Sequence, residues 1–454
     1  MLTLKTRDLD MLHGPLTGKL LLFTLPIALS SMVQQLFNAA DTAVVGYFDH
    51  ADALAAVGTN TEIIALIVTV SSGLSIGANI QIANQIRRNE KKDVPATVQT
   101  AVLVALLVGI AGALLGQCIA RPLLQLIQTP ESILHAAELY LRIYMLGYPF
   151  LLLYDFSAAV LRARGDSRYP FFALVLSGLV NVGLNLLFVT VFHTGVAGVA
   201  IATGISNLLS ASMLLHRLAE DGQFPLSLRH PQFSLRIAGE ILKTGIPSAV
   251  QGAVFCFANI FVQASVNGFG AAAIAGSTIA MNFEYITYYV ITAFGQTATT
   301  FTSQNYAAGN HERCRHIFRL CLVLSTLFSS ALIFTIVLFR HFFCGIFTAE
   351  AAVMQSASVR ILCILLFEPI CNLYEIPAGV LRGRGHALYP AISAMIGTCL
   401  FRILWICTVF RANPSLPLLY HAFPLSWIAT ILLTNLAFIS PAVKRMRFRC
   451  IKKW

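Results

Sequence analysis

Long apolar stretches recur from one end of this 454-residue chain to the other. A helix needs about 20 apolar residues to cross the hydrocarbon core of a bilayer. Inside that core each backbone N–H and C=O must be bonded within its own segment, so the stretches read as helices. They place spans near 19–46, 54–84, 96–118, 136–160, 169–191 and 196–216, and again near 240–266, 273–303, 317–345, 355–380, 388–410 and 418–440. Composition agrees. Charged residues are 11% of the chain, mean hydropathy is +0.74, and a soluble chain carries roughly 25% charged residues. The fold class is an all-α membrane protein of about twelve transmembrane helices.

The net charge of +11 would suit nucleic acid, but its distribution does not. Basic residues gather in alternate loops: RRNEKK at 87–92, RARGDSR at 162–168, HERCRHIFR at 311–319 and KRMRFRCIKK at 444–453. By this placement 25 of the 31 Lys and Arg lie in or beside one set of loops, and only Arg121, Arg340 and Arg411 lie in the other. Cytoplasmic loops carry such an excess, so both termini are expected in the cytoplasm of a plasma (inner) membrane protein. The partner of the basic tail is then the lipid bilayer, with no nucleic acid. The ten cysteines show no CxxC pair and no His at metal spacing, and they read as small buried apolar residues. Residues 1–18 show no short apolar core with a cleavage site.

The longest polar interruption, 217–239, follows six spans and precedes six. It divides the chain into a cytoplasmic N-terminus 1–18, a lobe 19–216, a linker 217–239, a lobe 240–440 and a basic tail 441–454. An internal repeat supports the division. PFLLLYDFSAAVLRARGDSRYP at 149–170 and PICNLYEIPAGVLRGRGHALYP at 369–390 match at 11 of 22 positions without gaps. Asp155 faces Glu375, and Pro26 has a weaker counterpart in Pro247. Six spans separate the copies, so they share one orientation. That implies two pseudo-symmetric six-helix bundles related by an axis along the membrane normal, a design suited to alternating access.

A charge at the bilayer centre costs at least about 2.5–3.5 kcal/mol, so acids within spans need a reason. The candidates are Asp41, Glu62, Asp155, Glu284, Glu368 and Glu375. Gln34, Asn38 and Asp41 share one face of the first helix, about four turns after Pro26, which can bend it. Asp41 is either hydrated at the outer mouth or part of a cation or proton site. Glu284, Tyr288, Thr292 and Gln296 make a polar stripe that lipid would not tolerate. Glu284 is either a buried acid satisfied by a neighbouring hydroxyl or an ion or cationic-substrate contact. Ser177, Asn181 and Asn185, with Thr203, Asn207 and Ser210, are either interhelical glue or neutral ligands. Asp155 and Glu375 precede the Leu-Arg-x-Arg-Gly motifs. They either pair with arginines such as Arg162 and Arg382 or act as a cytoplasmic gate. Glu62 and Glu368 receive no role.

No phosphate-binding loop, HExxH or GxSxG is present, so no enzyme chemistry and no ATP-driven step are expected. Together the span ending in NAADTAVVG, LRARGDSRYP, GVAGVAIAT at 195–203, AAIAGSTIAMNFEYITYYV, TFTSQNYAAGN at 300–310 and LRGRGHALYP resemble the multidrug and toxic compound extrusion (MATE) transporters of the MOP flippase superfamily. The resemblance covers all twelve spans. It implies two six-helix lobes around a central cavity and export of amphipathic, often cationic, organic molecules against inward Na⁺ or H⁺, with no other cofactor. A monomer is expected. Some branches form an N-lobe site from an Asp in the first span and an Asn and an Asp in the fifth. Asp41 and Asn181 match two of these, and Asn185 stands where the second Asp would be. Asp41, Asn181 and Asn185 are thus a candidate site for the coupling ion, either H⁺ or Na⁺, and the amide oxygens are hard ligands of the kind Na⁺ accepts. Other branches use a Glu in the seventh span. Here that span has no acid between Lys243 and Phe269, and Glu284 in the eighth is the substitute. The alternatives are a lipid-linked oligosaccharide flippase of the same superfamily, which would line its cleft with several Arg or Lys, and a non-transporting membrane receptor.

Overall fold

The computed structural model describes residues 9–48, 51–87, 94–127, 129, 131–220, 233–345 and 350–439. The side chains of Asn38, Asp41 and Glu62 lie outside the described ones. All regular structure among the described residues is helical. The helices are α1 (Leu16–Phe48), α2 (Ala51–Arg87), α3 (Val94–Leu126), the bent α4 (Glu131–Leu146 and Tyr148–Ala163), α5 (Arg168–Val191) and α6 (Gly195–Ala219). They continue with α7 (Leu235–Asn267), α8 (Ala271–Ala307), α9 (His311–Leu338), α10 (Ala351–Gly383), α11 (Leu388–Phe410) and α12 (Leu416–Leu436). Among the described residues ten are long and apolar enough to cross a bilayer, and the bent α4 makes eleven. α8 completes the twelve-helix fold. It is 37 residues long but too polar to stand among the other eleven.

The sequence repeat is also a repeat of helices. α1 and α7 each have 33 residues and start 219 apart (235 − 16). α2 and α8 each have 37 and start 220 apart (271 − 51). Contacts gather the chain into two compact units, one of Met1–Gly14 and Leu21–Ala249, the other of Pro15–Leu20 and Val250–Trp454. Each has its own apolar interior.

The motif shared by the two copies is a helix stop. Gly165 and Gly385 have φ of +101° and +84°, the left-handed conformation that a residue with a Cβ adopts only with strain. Gly165 N–H donates to the Arg162 carbonyl at 3.0 Å and Asp166 N–H to Leu161 at 2.9 Å. Gly385 to Arg382 and His386 to Leu381, both at 2.9 Å, repeat the pattern. This crossed pair of bonds satisfies carbonyls that a helix end would leave orphaned. Leu-Arg-x-Arg-Gly therefore sets where α4 and α10 end and holds Arg162 and Arg382 in their last turns.

The same two helices are interrupted at repeat-related prolines, which have no N–H for the helical ladder. α4 bends by 44° between Leu146 and Tyr148, next to Pro149. α10 passes through a 3₁₀ segment, Leu365–Cys371, that contains Pro369. Past that break α10 packs closely on α8. A Cβ on Gly379 would lie 2.4 Å from the Gly295 carbonyl oxygen, so the approach requires glycine.

Candidate functional site

The polar stripe of α8 is turned into the C-terminal unit. Glu284 meets Arg360 of α10 in a two-pronged ion pair, Nε to Oε1 at 2.7 Å and Nη2 to Oε2 at 2.8 Å. Arg360 Nη1 donates to Ser277 Oγ, two turns earlier on α8, at 2.6 Å. The guanidinium carbon lies 5.3 Å from the Tyr420 ring centroid and 5.6 Å from that of Phe423, both on α12. Such pairing satisfies both charges with good geometry, which a buried pair requires. Further along the stripe, the Tyr288 and Tyr374 hydroxyls face each other at 3.5 Å, and Phe255 stacks on Tyr288. Thr292 bonds back to its own helix, and Gln296 is half-buried.

Next to this pair sits an acid that sequence reasoning passed over. Glu368 is 3% exposed, inside the 3₁₀ break of α10. It accepts a hydrogen bond from the Thr287 hydroxyl. Among the described residues no Lys or Arg nitrogen lies within 4.0 Å of it. One signal was available: Glu368 precedes Pro369, and Tyr148 occupies the equivalent place before Pro149.

Toward the ends of α4 and α10 the two copies differ. Arg382 Nη2 donates to Glu375 Oε1 at 2.9 Å, both side chains being under a tenth exposed. Asp155 and Arg162 have the same seven-residue spacing, yet among the described residues they form no ion pair within 4.0 Å, and buried Asp155 Oδ2 has no hydrogen-bond partner there. Asp is one methylene shorter than Glu, and that length closes the pair in one copy and leaves it open in the other.

In the N-terminal unit, Asn181 and Asn185 of α5 are buried and joined, Asn185 Nδ2 donating to Asn181 Oδ1 at 3.3 Å. Asn181 Nδ2 reaches Thr203 Oγ1 of α6 at 3.4 Å. The Phe37 ring lies on Gly178, where a Cβ would fall 1.7 Å from a ring carbon. This contact seats α1 on α5. Asp41 is one turn beyond Phe37 and Asn181 nearly one turn beyond Gly178. Gln34 is half-buried.

The sequence profile of the MatE family matches residues 26–187 and 247–407, most of both units. The chain belongs to the MatE family. It is similar to two curated relatives named as probable multidrug resistance proteins. These are NorM of Thermotoga maritima (28% identity over 392 residues, 83% of this chain and 82% of that one) and YoeA of Bacillus subtilis (26% over 380 residues, 82% of each). Its fold is that of a solved multidrug resistance MATE family transporter of the MOP superfamily in an outward-facing conformation. The TM-score is 0.88 at 20% identity, over 99% of both chains.

This MatE-family chain is therefore a multi-pass membrane transporter. Its fold brings together Glu284 with Arg360, Tyr288 with Tyr374, Glu375 with Arg382, and Asn181 with Asn185. It leaves Asp155 and Arg162 without a mutual hydrogen bond. Pro26 lies inside α1 and Pro247 inside α7. Glu284 spends both carboxylate oxygens on Arg360, so in this conformation it has no free charge to offer a cation. Glu368 has no such partner.

Proposed function

We propose that this protein is a secondary active antiporter. It exports amphipathic, cationic organic compounds in exchange for inward Na⁺ or H⁺, by alternating access of its two six-helix lobes around a central cavity. It works as a monomer in the plasma (inner) membrane with both termini cytoplasmic. The observation that carries this reading is the acid content of the α8–α10 interface. A buried carboxylate without a cationic partner in a membrane bundle is costly, which makes it a candidate for work such as exchanging a proton or a cation. Glu368 is such a group, and in the N-terminal lobe Asp41, with Asn181 and Asn185, is the corresponding candidate. Amide oxygens are hard ligands, suited to Na⁺. Arg142 is already paired with Glu138 at 2.7 Å and Arg360 with Glu284. Of the three arginines well inside the spans only Arg402 then lacks a carboxylate among the described residues, and one guanidinium is few to hold a pyrophosphate, which favours drug export over lipid-linked sugar flipping. Uptake of ethidium into everted vesicles, driven separately by Na⁺ and H⁺ gradients, tests the reading. One gradient should drive it. Uptake that ignores both would refute ion coupling.

A further inference from the structure

Three arginines lie well inside the spans: Arg142, Arg360 and Arg402. Two have carboxylates, and the third does not. Arg402 of α11 is completely buried, yet among the described residues no carboxylate lies within 4.0 Å of it. The acids of the same interior are engaged elsewhere: Glu284 by Arg360, Glu375 by Arg382, Glu368 by Thr287. Neutral groups hold the guanidinium instead. Nε donates to Ser426 Oγ of α12 at 3.1 Å and Nη1 to Asn259 Oδ1 of α7 at 2.9 Å. The Phe423 ring lies 4.0 Å beneath the guanidinium carbon and the Phe255 ring 5.4 Å away. Nη2, also buried, has no hydrogen-bond partner among the described residues.

Hydroxyl, amide and ring face soften the cost of burying this charge, but none cancels it. An unneutralised guanidinium with a spare N–H edge is suited to a planar, two-oxygen anion, which it can grip with two parallel bonds. Its surroundings leave a way in. Phe255, Asn259 and Tyr288 are only half-buried, so Arg402 is one side chain behind the accessible surface of α7 and α8. The backbone around it is loosened as well. α11 takes π-helical turns at Met395–Leu400 and Ile406–Phe410, on either side of Arg402. Such turns are rare and are frequent at functional sites.

We propose that Arg402 is a carboxylate-binding site for the cargo. The acid group of an aromatic, zwitterionic amphipath displaces Asn259 Oδ1 and takes both Nη atoms, while the rings of Phe255 and Tyr288 cover its aromatic body. The inference rests on the reading of the protein as an exporter of organic cations, and it narrows that cargo to cations that also carry an acid.

Rhodamine B and its ethyl ester test it, because they share one cationic ring system and differ in a single free carboxylate. Binding to the purified full-length protein is measured by fluorescence anisotropy against protein-free micelles. Wild type should bind rhodamine B on the order of tenfold or more tighter than the ester. Arg402→Gln should bring rhodamine B down to the ester's Kd and leave the ester unchanged, which also shows the variant to be folded. Arg402→Lys should keep part of the preference. Equal binding of the two dyes by wild type would overturn the proposal. So would an Arg402→Gln variant that preserves the preference, or an Arg402→Lys variant that weakens both dyes alike. Binding of neither dye by wild type would bring down the exporter reading together with this site, whereas ester binding without a preference removes only the site.

Discussion

Arg360→Met removes three short hydrogen bonds at once, two of them to Glu284 and one to Ser277. The Arg360 and Glu284 side chains are 4% and 13% exposed, so little solvent screens the acid left behind. Breaking one side of a buried ion pair costs about 3–5 kcal/mol. Met roughly fills the volume, so the loss is mainly the uncompensated charge. Adding Glu284→Gln removes that charge and should restore most of the stability, giving an interaction energy of at least ~2 kcal/mol in the double-mutant cycle. The assay is unfolding in mixed micelles with increasing SDS, followed by tryptophan fluorescence. Trp405 and Trp427 lie on α11 and α12, so the signal reports on the C-terminal unit. The reasoning fails if Arg360→Met unfolds within about 0.5 kcal/mol of wild type, or if the double variant loses the sum of the two single losses.

Four further outcomes are expected. Asp155→Glu supplies the missing methylene and should pair with Arg162 as Glu375 does with Arg382. It should raise the thermal midpoint of the purified protein, and a lowered midpoint would contradict the geometric account. Gly379→Ala puts a Cβ against the Gly295 carbonyl and should destabilise by about 1–3 kcal/mol in the same SDS titration; an unchanged midpoint would mean that α8 and α10 separate freely. Asp41→Asn should abolish ion coupling in everted vesicles and Asn185→Asp should shift it toward protons. Normal transport by Asp41→Asn together with failure of Glu284→Gln would move the coupling site to the C-terminal lobe. Tags placed at residues 1 and 454 should be labelled only after permeabilisation, and labelling in intact cells would refute the topology.

What the sequence disclosed follows from range. Hydropathy and the repeat are local or periodic signals, and they place most ends of the twelve helices within about five residues: 388–410 became Leu388–Phe410, whereas 96–118 lengthened to Val94–Leu126 and 317–345 moved to His311–Leu338. The Leu-Arg-x-Arg-Gly copies were visible for the same reason, since a helix stop is written in consecutive residues. Partnerships were not. Glu284 and Arg360 are 76 residues apart, and no local pattern joins them. The stripe indicated that Glu284 must face protein or water, but not that a guanidinium waits there. Asp155 and Glu375 occupy equivalent positions, and only the folded arrangement reveals that one pair closes and the other stays open. Glu368 received no role because its environment depends on the 3₁₀ break around Pro369. The lack of an acid at Arg402 is likewise a fact of packing among α7, α11 and α12.

Flux through the purified protein in sealed liposomes, without nucleotide, tests the central claim most directly. Ethidium movement is followed by fluorescence while Na⁺ and H⁺ gradients are imposed one at a time. The account predicts that ethidium moves against its own gradient when one of the two ions runs the opposite way, and stops when an ionophore collapses that ion gradient. Ethidium that crosses no faster than in protein-free liposomes, or that only runs down its own gradient whatever the ions do, would contradict it.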